Sequence, residues 1–223
     1  MIHRACSHIF FCLLLSFLTL TLNGQVSIKA INKPFKWFNI PDYFAENADS
    51  SITIKCKKGE TLFSSPFGDS RSTSCPILLF DPSSEFTLSA NLTSKLESQW
   101  DAAQIVVWQD SANWAKLYLE KTHYGKPIVG SIVNKGTSDD CNSAILDKAE
   151  IFLQVAKINN CCFFYYSHDG INWTFCRAFQ LFDKTPLCIG FSCESSFSEH
   201  GTTATFSHIR YKETKPEDIF NGK

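Results

Sequence analysis

The segment Gln104 to Glu120, QIVVWQDSANWAKLYLE, can fold in very few ways. An apolar run from Ile105 to Trp108 meets the turn-forming cluster Asp110-Ser-Ala-Asn113, and a strictly alternating stretch follows from Trp114 to Glu120. Alternation marks a strand, because successive side chains leave a pleated backbone on opposite faces. The segment therefore predicts a β-hairpin. Ala115, Leu117 and Leu119 share one face, which needs a core; Trp114, Lys116, Tyr118 and Glu120 share the other. Two aromatics, a cation and a carboxylate on one sheet face suit a sugar, or another ligand with a flat apolar side and polar edges. The competing reading is a solvated face on which Lys116 and Glu120 form an exposed ion pair, contributing under about 1 kcal/mol. If the turn is a four-residue loop, Gln109 stands opposite Trp114 and joins that face.

The rest of the chain repeats the strand pattern. Strands are expected at Ser51 to Lys55, Ile77 to Phe80, Phe86 to Asn91, Lys126 to Asn134, Glu150 to Ala156, Leu187 to Ser192 and Thr203 to Tyr211. Cys161 to Tyr166 and Trp173 to Phe179 flank SHDGIN and read as a second hairpin. In that turn Asp169 is expected to cap the backbone and Gly170 to take the positive φ. An edge strand and an aromatic plug are expected within 26–50. Irregular loops are expected at Cys56 to Cys75 and Lys135 to Asn142, and a frayed tail over 212–223. Roughly eleven short strands broken by turns, with no amphipathic helix, predict an all-β, antiparallel two-sheet sandwich. No internal repeat or linker divides it, so residues 25–211 are expected to form one domain.

The start of the chain reads as a secretory signal peptide. His3-Arg4 is basic, Ile9 to Leu22 is apolar but short for a membrane span, and cleavage after Gly24 is expected. The remainder is then secreted or lumenal, with no membrane association after cleavage. It carries 20 basic and 22 acidic side chains, and no basic patch that would hold nucleic acid. Its eight cysteines are an even set, which in an exported chain reads as disulfides. Cys162 and Cys176 sit symmetrically about the Asp169-Gly170 turn and are the one pair that the hairpin nominates. No paired C-x-x-C with histidine partners is present, so neither metal nor cofactor is expected. Sequons at Asn91-Leu-Thr93 and Asn172-Trp-Thr174 are candidate glycosylation sites.

The order of segments resembles a family of uncharacterised proteins with a concanavalin A-like jelly-roll fold. This is the domain-of-unknown-function 1349 family, which includes bacterial YesU proteins and a yeast regulator of enolase. The resemblance runs from about Lys36 to Tyr211 through KWFNIPDYF, FTLSANL, WDAAQIVVWQDSANWAKLYLE, GSIVNKGTSDD, IFLQVAK, YYSHDGINWTFCR, CIGFSC and FSHIRY. It implies a jelly-roll sandwich of the lectin and glucanase type. Two positions depart from the family pattern: Asp140 stands where a Trp is usual, and Gln154 where an Arg is common.

Three functions are open. The first is non-catalytic, lectin-like carbohydrate binding through Gln109, Trp114, Lys116, Tyr118 and Glu120, with Asn134, Asp139 and Gln154 adding polar contacts. Aromatic rings stack on pyranose faces while amides and carboxylates hydrogen-bond hydroxyls. The second is a protein-interaction or regulatory module, as the enolase-regulator relative implies. The third is a glycoside hydrolase, which needs two carboxylates in acid and nucleophile or base roles. No acidic string on one strand supplies them, and Glu120 with Asp139 is the pair that tertiary contact could assemble.

Overall fold

The computed structural model describes residues 25–181 and 186–223; the expected signal peptide, 1–24, lies outside them. Seventeen strands occur among the described residues. The first six are β1 (Val26–Ile28), β2 (Ile31–Phe38), β3 (Tyr43–Glu46), β4 (Ile52–Cys56), β5 (Leu62–Ser64) and β6 (Arg71–Thr73). Next come β7 (Ile77–Phe80), β8 (Phe86–Ser94), β9 (Ala102–Asp110), β10 (Asn113–Lys121), β11 (Pro127–Lys135) and β12 (Ser138–Ile145). The last are β13 (Glu150–Ile158), β14 (Cys161–Ser167), β15 (Thr174–Phe179), β16 (Cys188–Glu194) and β17 (Thr202–Lys212).

They form the expected antiparallel jelly-roll sandwich. One sheet has the order β1-β2-β7-β16-β9-β10-β11-β12, the other β15-β14-β13-β8-β17-β4-β3, and β5 pairs with β6 alone. Alternation builds the interior. Ala115, Leu117 and Leu119 of β10 lie in it with Ile105 and Val107 of β9 and Ile189, Phe191 and Cys193 of β16. The facing sheet contributes Leu88, Ala90 and Leu92 of β8, Leu153 and Val155 of β13, and Ala204 and Phe206 of β17.

The first sheet is buried on its outer face too. Leu62 of β5 and Cys75 pack there against Val106, Trp108, Trp114, Tyr118 and Ile132 in a second apolar cluster. The segment 57–74, expected as a plain loop, thus roofs the sheet with its small hairpin. Arg71 reaches the carbonyl of Ser111, and the Ser64 amide donates to Ser138 Oγ at 3.0 Å.

Other expectations are corrected. The polar stretch after Lys135 is the edge strand β12, paired with β11 from Asn134↔Ser138 to Ile128↔Ile145. Its exposure fits an edge, where polar side chains are tolerated. The tail does not fray: the Gln154 amide and the Tyr165 hydroxyl donate to the carbonyls of Gly222 (2.8 Å) and Ile219 (2.6 Å). In the second hairpin Cys162 lies opposite Phe179, while Cys176 sits at a bulge between the partners of Phe164 and Tyr165. Two or more residues of offset along a strand, roughly 7 Å or more, exceed the usual disulfide span. None of the eight described cysteines is bridged in this structure.

Candidate functional site

The site lies where the roof and the outer face of the first sheet diverge. Lys116 and Glu120 of β10, Ile132 of β11, Asp140 of β12 and Glu194 of β16 line a cavity of about 350 Å³. Phe63 of β5 lines it too, with Thr61, Trp100 and Ser196 from the loops. Register brings the acids together: Glu120 and Glu194 both lie level with Ala102 of β9, which separates them.

Lys116 is 2% exposed, and its ammonium contacts the carboxylate of Glu194. The other oxygen of Glu194 accepts the backbone N–H of Leu62 at 2.7 Å, which ties the roof to the sheet. Burial works against the Lys116 charge, but the Glu194 and Glu120 carboxylates outweigh it and hold the ammonium above the ordinary lysine value. The Lys116 Nζ also lies 5.2 Å from the centre of the Tyr118 ring. Tyr118 donates to Asp140 Oδ1 at 2.6 Å. Burial, then the charges of Glu120 and Asp140, push its phenol far up, so the hydroxyl keeps its proton.

Glu120 differs from its neighbours. It is 7% exposed, and its carboxyl makes no hydrogen bond to a described residue. Burial pushes it up to about 8; the Lys116 charge opposes this, and the charges of Glu194 and Asp140 add to it. At neutral pH it is a protonated acid facing the cavity, able both to donate and to accept.

Trp100 lines the cavity, half-buried, with φ of 64°. A bulky residue rarely adopts this left-handed conformation, and such strain persists where the surrounding fold over-determines it. Here the Trp100 amide donates to the Lys121 carbonyl at 2.8 Å, anchoring the loop to the end of β10.

The expected residues divide into three groups. Lys116, Tyr118 and Glu120 share the face expected of them and meet at the cavity, though as a buried cluster rather than an open platform. Trp114 and Asn134 share that face but are wholly buried. Trp114 belongs to the second apolar cluster, and its indole N–H has no acceptor among the described residues. The Asn134 side chain donates to the Ala112 carbonyl at 2.7 Å and accepts from Ser138, holding the β9–β10 turn.

Gln109, Asp139 and Gln154 lie elsewhere. The turn contains two residues, with Asn113 opposite Asp110, and a bulge sets Trp114 against Trp108. Gln109 therefore does not stand opposite Trp114. Asp139 pairs with Val133, while Asp140 pairs with Ile132 on the cavity side. A shift of one residue exchanges the two faces, and Asp139 instead bridges Arg177 at 3.1 Å. Gln154 lies on the outer face of the other sheet, against the tail.

Sequence reasoning missed Glu194, Trp100 and Phe63. Glu194 was findable, since Ser192 and Glu194 are the polar beats of an otherwise apolar strand. Trp100 sits on irregular chain, and Phe63 on a strand of three residues, too short to carry a periodic signal. Of the two sequons, Asn172 is exposed in its turn, whereas Asn91 is buried at mid-sheet with its amide donating to Glu150 at 3.0 Å.

A family model described as Protein of unknown function (DUF1349) matches residues 37–214. The chain belongs to that family. No curated protein matches it. A solved Saccharomyces cerevisiae protein described as functionally unknown is 21% identical, with a TM-score of 0.70 over 80% of this chain and 95% of that one. The GH43 BlXynB protein from Bacillus licheniformis is 15% identical, with a TM-score of 0.64 over 79% of this chain and 36% of that one. The xylan β-1,4-xylosidase from Bacillus halodurans C-125 is 17% identical, with a TM-score of 0.58 over 74% and 33%. At such identities the likeness is one of fold, and to about a third of each enzyme chain.

Proposed function

We propose that this is an exported, non-catalytic carbohydrate-binding protein that holds its ligand in the cavity beneath Trp100. One observation carries the reading: a buried Glu120 carboxyl, pushed up to about 8 by burial, lines a cavity flanked by two partly exposed aromatics, Trp100 and Phe63. A protonated acid can give a hydrogen bond to one hydroxyl and accept one from another, as vicinal hydroxyls require. An indole offers the face on which the C–H side of a sugar ring stacks. The volume is at the lower end of the roughly 300–1,000 Å³ usual for ligand pockets, which suits one or two sugar units.

The test is a glycan array of the wild-type protein beside Trp100→Ala and Glu120→Gln. The expected result is binding to one glycan class, weakened in both variants with folding intact. A blank array for well-folded wild type would refute the reading and move the weight to a protein partner.

A second reading, glycoside hydrolysis, is favoured by one feature. A protonated Glu120 shares the cavity with the ion-paired Glu194, and a raised acid beside a charged carboxylate is the division of labour that such enzymes use. The expected outcome on a panel of aryl glycosides is no turnover. Hydrolysis by wild type that disappears in Glu120→Gln would replace binding by catalysis at the same site.

A further inference from the structure

Cys56 closes β4 in one sheet and Cys193 lies on β16 in the other. Both are fully buried in the interior between the sheets. Burial, and next the adjoining Cys56 thiol, push the Cys193 thiol well up. Cys193 Sγ lies 3.6 Å from the Ile54 carbonyl, two residues before Cys56 on β4. Cys56 Sγ lies 3.8 Å from the carbonyl of Thr202, its cross-strand partner on β17. A third thiol is near: Cys75 lies on the opposite face of the first sheet, 3.3 Å from Ser192 Oγ, and packs with the roof. The sheet itself thus separates Cys75 from Cys193.

We propose that Cys56 and Cys193 form an inter-sheet disulfide that fixes the cavity. The oxidant is a disulfide of the exporting compartment, such as oxidised glutathione or an oxidoreductase. One cysteine, as thiolate, attacks the oxidant's sulfur and releases one reduced thiol. The second thiolate then attacks the mixed disulfide and releases the other. One S–S bond is consumed and one formed, and the two protons of Cys56 and Cys193 pass to the released thiols. Because both thiols are fully buried, the exchange belongs to folding, before the sheets close.

Position gives the bond its consequence. Cys56 is the root of the 57–74 roof, and Cys193 precedes Glu194, the carboxylate that holds both Lys116 and the Leu62 amide. One covalent link therefore pins the base of the roof and the strand carrying the central acid. The inference rests on the export reading and on the two thiols, and holds whether or not the cavity takes a sugar.

The test is peptide mapping of the full-length protein recovered from a secretory host, alkylated under denaturing conditions before digestion. The expected result is a linked peptide pair containing Cys56 and Cys193 that separates on reduction. A Cys56–Cys75 link, or Cys56 and Cys193 both alkylated in folded protein, would overturn the proposal. A second measurement compares wild type with Cys56→Ala/Cys193→Ala. The bond closes a loop of roughly 140 residues, so reduction should lower the wild-type Tm by on the order of 10 °C. The double variant should lose much less; an equal loss in both would also overturn it.

Discussion

Replacing Glu120 by Gln should make the protein more stable in alkaline solution, although Glu120 lines the cavity. The side chains match in shape, and the exchange removes only the capacity to ionise. The Glu120 carboxyl stands at about 8 against an ordinary 4.5. At about 1.36 kcal/mol per unit, that difference makes ionisation in the folded state cost on the order of 5 kcal/mol. The sign follows from the raised value. The folded protein keeps this proton through the interval in which the unfolded chain has lost it, so stability falls as pH rises. The favourable contribution is complete below about pH 4.5, erodes through neutrality and is gone above about pH 8. Urea unfolding of wild type and Glu120→Gln from about pH 5 to about pH 9 measures this directly. The wild-type midpoint should decline relative to the variant by several kcal/mol equivalents across the range. A constant difference between the two proteins would mean that Glu120 is not held protonated, and would remove the basis of its role as a donor.

Lys116→Met should cost about 3–5 kcal/mol in chemical denaturation, because Glu194 is left buried without its cation; the Lys116→Met/Glu194→Leu pair should recover much of it. Gly130→Ala places a Cβ 2.4 Å from Cε2 of Tyr118, so the ring must leave Asp140; a loss of about 1–3 kcal/mol is expected, checked by thermal unfolding. Trp100→Gly should abolish glycan binding without lowering Tm, since glycine takes the φ of 64° without strain. Asp169 accepts the amides of Ile171 (2.8 Å) and Asn172 (2.7 Å), which, with Ser167, hold its carboxyl well below the usual carboxylate range. Asp169→Ala should therefore lower Tm at neutral pH, by a margin that closes as pH falls through that depressed range.

The sandwich was legible because alternation is a local property. Ile77–Phe80 and the Cys161 and Thr174 strands occur close to where the apolar and aromatic beats place them. The inward face of β10 needed nothing beyond Ala115, Leu117 and Leu119. Register was harder, because one bulge sets Trp108, not Gln109, opposite Trp114, and one position separates Asp139 from Asp140. A bulge changes the count on one strand only, and composition does not announce it. The roof was illegible for a different reason. Leu62 and Cys75 have no periodic neighbours, yet they decide that Trp114 lies in a core and not in water. Gln154 was misplaced because adjacency in a motif series says nothing about which sheet a strand joins.

The strand order also sets a timetable. β16 inserts between β7 and β9, and β17 between β8 and β4, so the last two of the described strands complete the middle of both sheets. Until residues 188–212 leave the ribosome, both half-sheets present long unpaired edges. Ile105 awaits Phe191, and Leu92 awaits Phe206. Such edges template association with other chains, and closing loops of this length slows folding. The decisive step of assembly therefore waits for β16 and β17: a nascent chain halted before β16 is not a smaller version of the fold but two open sheets competing for strands.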